Sequence, residues 1–213
     1  MAKTELLLWD WNGTLLNDVD LCLECLNLLL GRHGYPQHYD YDSYRRIFGF
    51  PIEDYYREAG FDFDKDPYAD LAEEFMAHYV PHSEACPLFD DARPTLEEVE
   101  RMGIPQVILS ASPVTLLREQ VVQRDVPGFF SQLLGLGDIY AHSKVDIGVD
   151  FMHRAGMDPA RVVLVGDSVH DFQVAQAMGT RCILCAAGHQ CREKLEQTGA
   201  PVIDHLSQLP ALL

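Results

Sequence analysis

The 213-residue sequence predicts an α/β protein with a Rossmann-like parallel sheet covered by helices on both faces. Short apolar runs at 6–9, 104–109 and 161–165 each stop at a polar residue or glycine, a pattern typical of strands buried on both faces. Segments with helical spacing separate these runs, as parallel strands require. Residues 17–85 show only helical patterns, which predicts an all-helical cap inserted after the first strand.

The predicted division is therefore an α/β core of residues 1–16 and 86–213 and a helical cap of residues 17–85. An insert that leaves the carboxyl end of the first strand lies over the edge of the sheet where ligands bind. We expect this cap to act as a lid.

Within the cap, Asn17 or Asp18 is expected to cap a helix that runs to about residue 31. Residues 41–59 indicate two short helices broken at Gly49-Phe50-Pro51. Asp66 is the expected N-cap of the next helix, with Pro67 at its first position.

Strands and helices alternate through the rest of the chain. The predicted strands are 104–109, 132–136, 161–165, 182–184 and 202–203, and the predicted helices are 94–102, 113–124, 143–155, 169–178, 190–197 and one at the end of the chain.

The chain is strongly acidic, with a formal net charge of −17. This charge repels nucleic acid and anionic membrane surfaces, so neither is expected as a partner. The apolar run at 6–9 is too short for a signal peptide or a membrane span, and we expect a soluble cytoplasmic protein. A phosphate ester could bind only where a local cation reverses the field.

Two pairs of cysteines have the C-x-x-C spacing that zinc sites can show. Cys182 and Cys185 lie in a predicted strand, where residues three apart point to opposite faces. Cys22 and Cys25 lie in a leucine-rich helix without a matching second pair. Buried free thiols are the preferred interpretation.

Polar residues stand at or just beyond four predicted strand ends. These are Asp10, Ser110, Lys144, and Asp167 with Asp171 one helical turn further on. Parallel strands bring these ends to one edge of the sheet, where the three carboxylates can hold Mg²⁺ through hard oxygen ligands. Ser110 can donate a hydrogen bond to a phosphate oxygen, and Lys144 can supply the local cation.

Four segments in this order, D-W-N-G-T, L-S, a lysine at 144 and G-D-S-V-H-D, resemble the motifs of the haloacid dehalogenase superfamily. The helical insert resembles the cap of its phosphoglycolate phosphatase-like branch. This resemblance implies a phosphomonoester hydrolase for a small phosphorylated metabolite.

The resemblance also implies the roles of the site residues. Asp10 would attack phosphorus and form an aspartyl-phosphate, and Thr14 would orient the nucleophile loop. Mg²⁺ would be held by Asp10, by the backbone carbonyl of Asn12 and by Asp167, with Asp171 in support. Ser110 and Lys144 would bind the transferring phosphoryl group.

Asn12 departs from the family pattern, in which phosphatases usually carry a second aspartate two residues after the nucleophile. An amide cannot exchange protons at neutral pH, and general acid–base catalysis is typically worth about 10²–10⁴-fold. A slow phosphatase could use His170 or a cap histidine instead. The alternative is a catalytically impaired protein that binds a phosphorylated ligand without turning it over.

Two further expectations concern the cap. D-W-N-G-T is also close to the D-W-A-G-T of phosphonoacetaldehyde hydrolases, whose C–P cleavage needs a cap lysine, and the insert contains only Lys65. A dehalogenase is disfavoured because it needs no metal. Arg45 or Arg46, beside a glycine between aromatic residues, could meet a second anionic group on the substrate.

Overall fold

The computed structural model describes residues 3–137 and 143–213. A six-stranded sheet has the order β3-β2-β1-β4-β5-β6, with every neighbouring pair parallel. The strands are β1 (Leu6–Trp9), β2 (Gln106–Pro113), β3 (Gln132–Leu136), β4 (Val162–Gly166), β5 (Arg181–Cys185) and β6 (Val202–Ile203). The predicted parallel sheet is confirmed. The strand order reverses between β1 and β4, which places a ligand-binding crevice at their carboxyl ends.

Five of the described helices lie between β1 and β2: α1 (Val19–Arg32), α2 (Tyr41–Ile47), α3 (Ile52–Ala59), α4 (Tyr68–Ser83) and α5 (Ala92–Arg101). Four more lie between the later strands: α6 (Val114–Gln123), α7 (Lys144–Ala155), α8 (Val169–Met178) and α9 (Arg192–Glu196). Short 3₁₀ helices occupy Pro127–Phe129, Pro159–Arg161 and Leu206–Leu212.

Alternate residues of each strand enter two separate apolar layers. In β1, Leu7 and Trp9 pack with α5, α6 and the last 3₁₀ helix, whereas Leu6 and Leu8 pack with α7 and α8. Burial on both faces explains the continuous apolar runs in the sequence. Cys182 and Cys185 likewise lie in opposite layers, and neither is in a disulfide.

Helices α1 to α4 enclose an apolar cluster of their own, built around Leu29, Tyr44, Tyr56 and Leu71. The two segments that join this cluster to the sheet run side by side. Leu16 pairs with Leu88 in an antiparallel bridge, and the amide of Phe89 donates to the carbonyl of Leu15. This pairing holds the segment that follows α4 beside the loop that follows β1.

The predicted caps differ from the observed ones. Helix α4 begins after Pro67, and the Asp66 carboxylate accepts from Tyr35 Oη at 2.7 Å and lies 2.7 Å from His33 Nδ1. Asp18 is the N-cap of α1, but its side chain makes no capping bond because it accepts hydrogen bonds from other partners. The last predicted helix is a 3₁₀ helix.

Strand β2 starts later than predicted and extends to Pro113, so Ser110 lies inside it. Of the helices described, none combines the length and apolar character needed to cross a membrane.

Candidate active site at the carboxyl edge of the sheet

Three buried carboxylates meet at the crevice between β1 and β4. Asp10 follows β1, Asp167 follows β4, and Asp171 lies in the first turn of α8. One oxygen from each lies within 4.8 Å of the others. The predicted convergence of these three side chains is observed.

Lys144 opens α7 and is buried among these carboxylates. Its Nζ donates to Asp10 Oδ1 and to Asp171 Oδ1, each at 2.5 Å. Although burial alone would lower it, the two carboxylates raise the pKa of Lys144, so the side chain is a cation. One ammonium against three carboxylates leaves the cluster negative.

The excess negative charge helps to raise the pKa values of two of these carboxyl groups. Burial raises the pKa of Asp10 to about 6, because desolvation and Asp171 outweigh the contacts with Lys144 and Thr14. Burial, with the charges of Asp10 and Asp171, also raises the pKa of Asp167 to about 7 against the opposing effect of His189. A divalent cation bound by oxygen ligands would relieve both effects, so the donor set fits Mg²⁺.

Local structure fixes each carboxylate. Asp171 belongs to a capping box, in which its Oδ2 accepts from the amide of Ser168 at 3.0 Å and from Ser168 Oγ at 2.6 Å. Asp167 is enclosed by glycines, since a Cβ atom at Gly13 or Gly188 would lie 2.3 or 2.2 Å from Asp167 Oδ2. These glycines are required for the backbone to approach the carboxylate.

Thr14 contacts one of these carboxylates, and Ser110 lines the crevice. Thr14 Oγ1 donates to Asp10 Oδ2 at 3.1 Å, which places Thr14 beside Asp10. Ser110 is buried at the end of the crevice, where its Oγ accepts from the amide of Ser112 at 3.0 Å. The Ser110 hydroxyl proton can therefore be donated to a ligand.

The side chain of Asn12 is fully engaged by protein groups. Its Nδ2 donates to Asp18 Oδ2 and to Tyr79 Oη, each at 2.8 Å, and its Oδ1 accepts from Ser112 Oγ at 2.6 Å. These contacts leave the backbone carbonyl, and not the amide, as the group that Asn12 can offer to a metal.

His189 completes the network and was not predicted from the sequence. It is buried beyond β5, with Nε2 3.2 Å from Asp18 Oδ1, Nδ1 2.8 Å from Tyr44 Oη, and its amide donating to Asp167 Oδ2 at 2.6 Å. Burial would raise the pKa of Asp18, but His189 and the hydrogen bonds from Tyr79 and Asn12 hold it below its usual value. Asp18 in turn raises the pKa of His189 despite burial. Both pKa shifts favour the charged forms of Asp18 and His189.

A cavity of about 330 Å³ opens above the carboxylates and is covered by the helices of residues 17–85. Its floor contains the acidic cluster, Lys144 and Ser110. Its roof is mostly aromatic and includes Tyr44, Phe48, Tyr55, Tyr56, Tyr68 and Phe75. The site therefore joins a polar floor to an apolar roof.

The expected substrate role of the two arginines is not observed, since neither lines the cavity. The Arg45 guanidinium is occupied by backbone carbonyls: it donates to Gly188 at 2.7 Å, to Gln190 at 2.9 Å and also to Ala186. Arg46 is exposed. Arg45 instead ties α2 to the loop that carries His189.

Lys65 also lies away from the cavity, with its Nζ on the carbonyl of His33 at 2.5 Å and over the ring of Tyr35. This position does not support Schiff-base chemistry. Of the substitute bases expected from the sequence, His170 lines the cavity and stacks on Phe50 with ring centroids 4.5 Å apart. The described cap histidines do not line it.

Comparisons with known proteins agree with this geometry. Residues 7–185 match the family described as haloacid dehalogenase-like hydrolase. The chain is 29% identical over 147 residues to a phosphoglycolate phosphatase from Pseudomonas savastanoi pv. phaseolicola, with 66% of this chain and 54% of that protein covered. It is 28% identical to a phosphoglycolate phosphatase from Pseudomonas fluorescens, with 96% and 78% covered.

A solved haloacid dehalogenase-like family hydrolase from Streptococcus pneumoniae has the same fold. The TM-score is 0.85 at 17% identity, with 100% of this chain and 99% of that chain covered. The chain spans about half the length of the Pseudomonas savastanoi relative.

Proposed function

Because this chain belongs to the haloacid dehalogenase-like hydrolases, we propose that it is a Mg²⁺-dependent phosphomonoesterase acting on a small phosphorylated metabolite. The observation that supports this most is the position of Asp10. Its carboxylate is buried at the reversal of strand order, contacts Lys144 Nζ at 2.5 Å and faces two more carboxylates. A divalent cation would neutralise part of this negative charge and would give a phosphate group a positive partner beside Lys144.

In the proposed reaction a carboxylate oxygen of Asp10 forms a bond to phosphorus as the ester P–O bond breaks. The leaving alkoxide takes a proton from water, and an aspartyl-phosphate remains on Asp10. Water then adds to phosphorus, the acyl-phosphate bond breaks, and inorganic phosphate is released with Asp10 restored. Lys144 and Ser110 hold the phosphoryl oxygens throughout.

Asp10, Asp167 and the Asn12 carbonyl, supported by Asp171, would hold the Mg²⁺. When bound, the ion supplies positive charge at the phosphoryl oxygens. Residues 17–85 would act as a cap over a core of residues 1–16 and 86–213, since the paired segments at Leu16 and Leu88 join the two parts.

Phosphate release from benzyl phosphate and a panel of metabolite esters, with Mg²⁺ or with EDTA, tests the proposal. We expect Mg²⁺-dependent release that Asp10→Asn abolishes. Release that survives in Asp10→Asn would remove Asp10 as nucleophile. A parallel His170→Gln variant tests whether His170 supplies the missing base, in which case its kcat falls while phosphate affinity is kept.

The hydrogen bonds of Asn12 favour one second candidate, a phosphate-ligand binding protein that lacks turnover. Asn12 is held by Asp18, Tyr79 and Ser112 and brings no acid to the cavity. Binding of vanadate with Mg²⁺, together with no phosphate release from any ester of the panel, would select this alternative.

A further inference from the structure

The roof of the cavity has the chemistry of a site for rings and alkyl groups. Phe48, Tyr55, Tyr56 and Phe75 line it, together with Met76, the next residue along α4. The rings already contact one another, as for Phe48 and Tyr55 with centroids 5.2 Å apart. Such walls gain free energy by burying an apolar group and stacking on aromatic rings.

The cavity offers almost no cation to a second anionic group. Among the lining residues that the structure describes, Lys144 is the sole lysine or arginine, and it is bound to Asp10 and Asp171. Both ring nitrogens of His189 already have partners, in Asp18 and Tyr44.

The other described basic groups near the cavity, His170 and Arg45, are also engaged by protein groups. The His170 ring stacks on Phe50 with ring centroids 4.5 Å apart, so one of its faces is already covered. The nearby cap arginine, Arg45, is used by the backbone of the loop at Gly188. A carboxylate on the leaving group would therefore be desolvated between aromatic rings and acidic side chains without a partner, which is strongly unfavourable.

We infer that the site selects phosphate monoesters of uncharged, aromatic or apolar alcohols over esters that carry a second anionic group. This inference rests on the proposed phosphatase function for its role in turnover. The phosphate would be held at the floor by Lys144 and Ser110, while the alcohol part packs under Phe48, Tyr55 and Phe75.

Binding of two non-hydrolysable analogues tests the selection directly. 2-Phenylethylphosphonate and 3-phosphonopropanoate place a phenyl ring or a carboxylate at the same distance from phosphorus. With Mg²⁺ present, titration calorimetry of the full chain should show the phenyl compound binding at least about tenfold more tightly, a difference of about 1.4 kcal/mol. Equal affinity, tighter binding of the carboxylate compound, or no binding of the phenyl compound overturns the inference.

A charge placed in the roof should reverse the preference. Met76 lines the cavity and is 37% exposed, so a lysine there can be accommodated. Val80 lies one turn further along α4, is 38% exposed and is not among the lining residues, which makes Val80→Lys the matched control. We expect Met76→Lys to shift the affinity ratio toward 3-phosphonopropanoate by roughly fivefold or more, the size of one ion pair. Val80→Lys should leave the ratio unchanged, and the same shift in both variants contradicts the inference.

Hydrolysis separates this inference from the proposed function. Benzyl phosphate and phosphoglycolate are the ester counterparts of the two analogues, and both are alkyl esters. If the analogues bind in the expected order but benzyl phosphate releases no phosphate, the inferred ligand selection stands and the proposed phosphatase function is wrong. If phosphoglycolate is hydrolysed with a higher kcat/KM than benzyl phosphate, the proposed phosphatase function stands and the inferred ligand selection is wrong.

Discussion

The side-chain amide of Asn12 donates to the carboxylate of Asp18 at 2.8 Å, and this contact ties the loop after β1 to the start of α1. Asp18 is ionised because His189 and Tyr79 also contact its oxygens. A carboxylate at position 12 would bring a second negative charge to the same oxygen. Asparagine at position 12 therefore fits the ion pair that the rest of the network forms.

The first prediction concerns a negative charge placed at position 12. Asn12→Asp should lower the free energy of unfolding by roughly 1–3 kcal/mol, because Asp18 loses a buried donor and gains a like charge. The double variant Asn12→Asp with Asp18→Asn should recover most of the loss. Urea unfolding at pH 7.5 measures both. On the proposed function, Asn12→Asp also supplies the missing acid, and kcat should rise by about 10²-fold.

Asn12→Ala is the control, since it removes the amide without adding a charge or an acid. Its kcat should not rise. A fully stable Asn12→Asp that gains nothing from Asp18→Asn would show that the two side chains are not coupled.

The second prediction concerns Lys144. Lys144→Met leaves Asp10, Asp167 and Asp171 without their buried cation, which should cost roughly 3–5 kcal/mol. Mg²⁺ should then raise the melting temperature of the variant more than that of the wild type, because it replaces the lost charge. Vanadate affinity should fall. Thermal unfolding with Mg²⁺ or EDTA, and vanadate titration, give the two readouts.

The pH response of the same variant provides a check. Without Lys144 the carboxyl pKa of Asp10 rises further, and a group with a raised folded-state pKa stabilises the fold as pH falls toward that value. The difference in free energy of unfolding between wild type and Lys144→Met should therefore become smaller as the pH falls from 8 to 5.5. A constant gap together with unchanged vanadate affinity would assign Lys144 no part in the site.

Much of the site could be predicted because it follows from strand ends. The buried apolar runs before Asp10 and Asp167 indicate where two strands stop, and a parallel sheet brings such ends together. Ser110 follows a third apolar run and lines the same crevice, although β2 continues past it to Pro113. Lys144 and Asp171 sit at helix starts that immediately follow this edge. These positions depend on local sequence and on the general geometry of the sheet.

The partners of Asn12 could not be predicted in this way. His189 and Asp18 are 171 residues apart, and their contact exists only because the cap folds back over the loop after β5. The one signal was position: His189 follows the apolar strand R-C-I-L-C, as Asp10 follows β1. The contacts of Arg45 could not be predicted for the same reason, since the carbonyls that bind its guanidinium belong to that loop.

The third prediction concerns Gly188, whose Cβ would lie 2.2 Å from both Asp167 Oδ2 and the carbonyl oxygen of Gly13. Gly188→Ala should displace Asp167, weaken Mg²⁺ binding and destabilise the fold by roughly 1–3 kcal/mol. Gly31→Ala is the contrasting control, since nothing lies within 4 Å and the residue belongs to α1. It should stabilise by roughly 0.5–1 kcal/mol. Unaltered Mg²⁺ affinity in Gly188→Ala would show that the contact is not restrictive.

The fourth prediction concerns pH and the cap. His33 lies between Glu74 and Asp66, with ring nitrogens 2.8 and 2.7 Å from their carboxylates, while Arg32 and Lys65 also pair with these acids. Hydrogen bonds to Glu74 and Asp66 raise the pKa of His33. Its stabilisation is therefore fully present below the unfolded value of about 6.5 and is lost as pH rises through the raised folded value.

His33→Gln should accordingly cost more stability at pH 5.5 than at pH 9, where the wild-type ring is neutral as well. Urea unfolding at the two pH values measures the difference, with His38→Gln as the control because His38 is exposed and lies in the same connecting segment. The control should show the same small effect at both pH values. If His33→Gln also cost the same at both, the contacts of His33 would be those of a neutral ring, and protonation of this cluster would not help to hold the cap together.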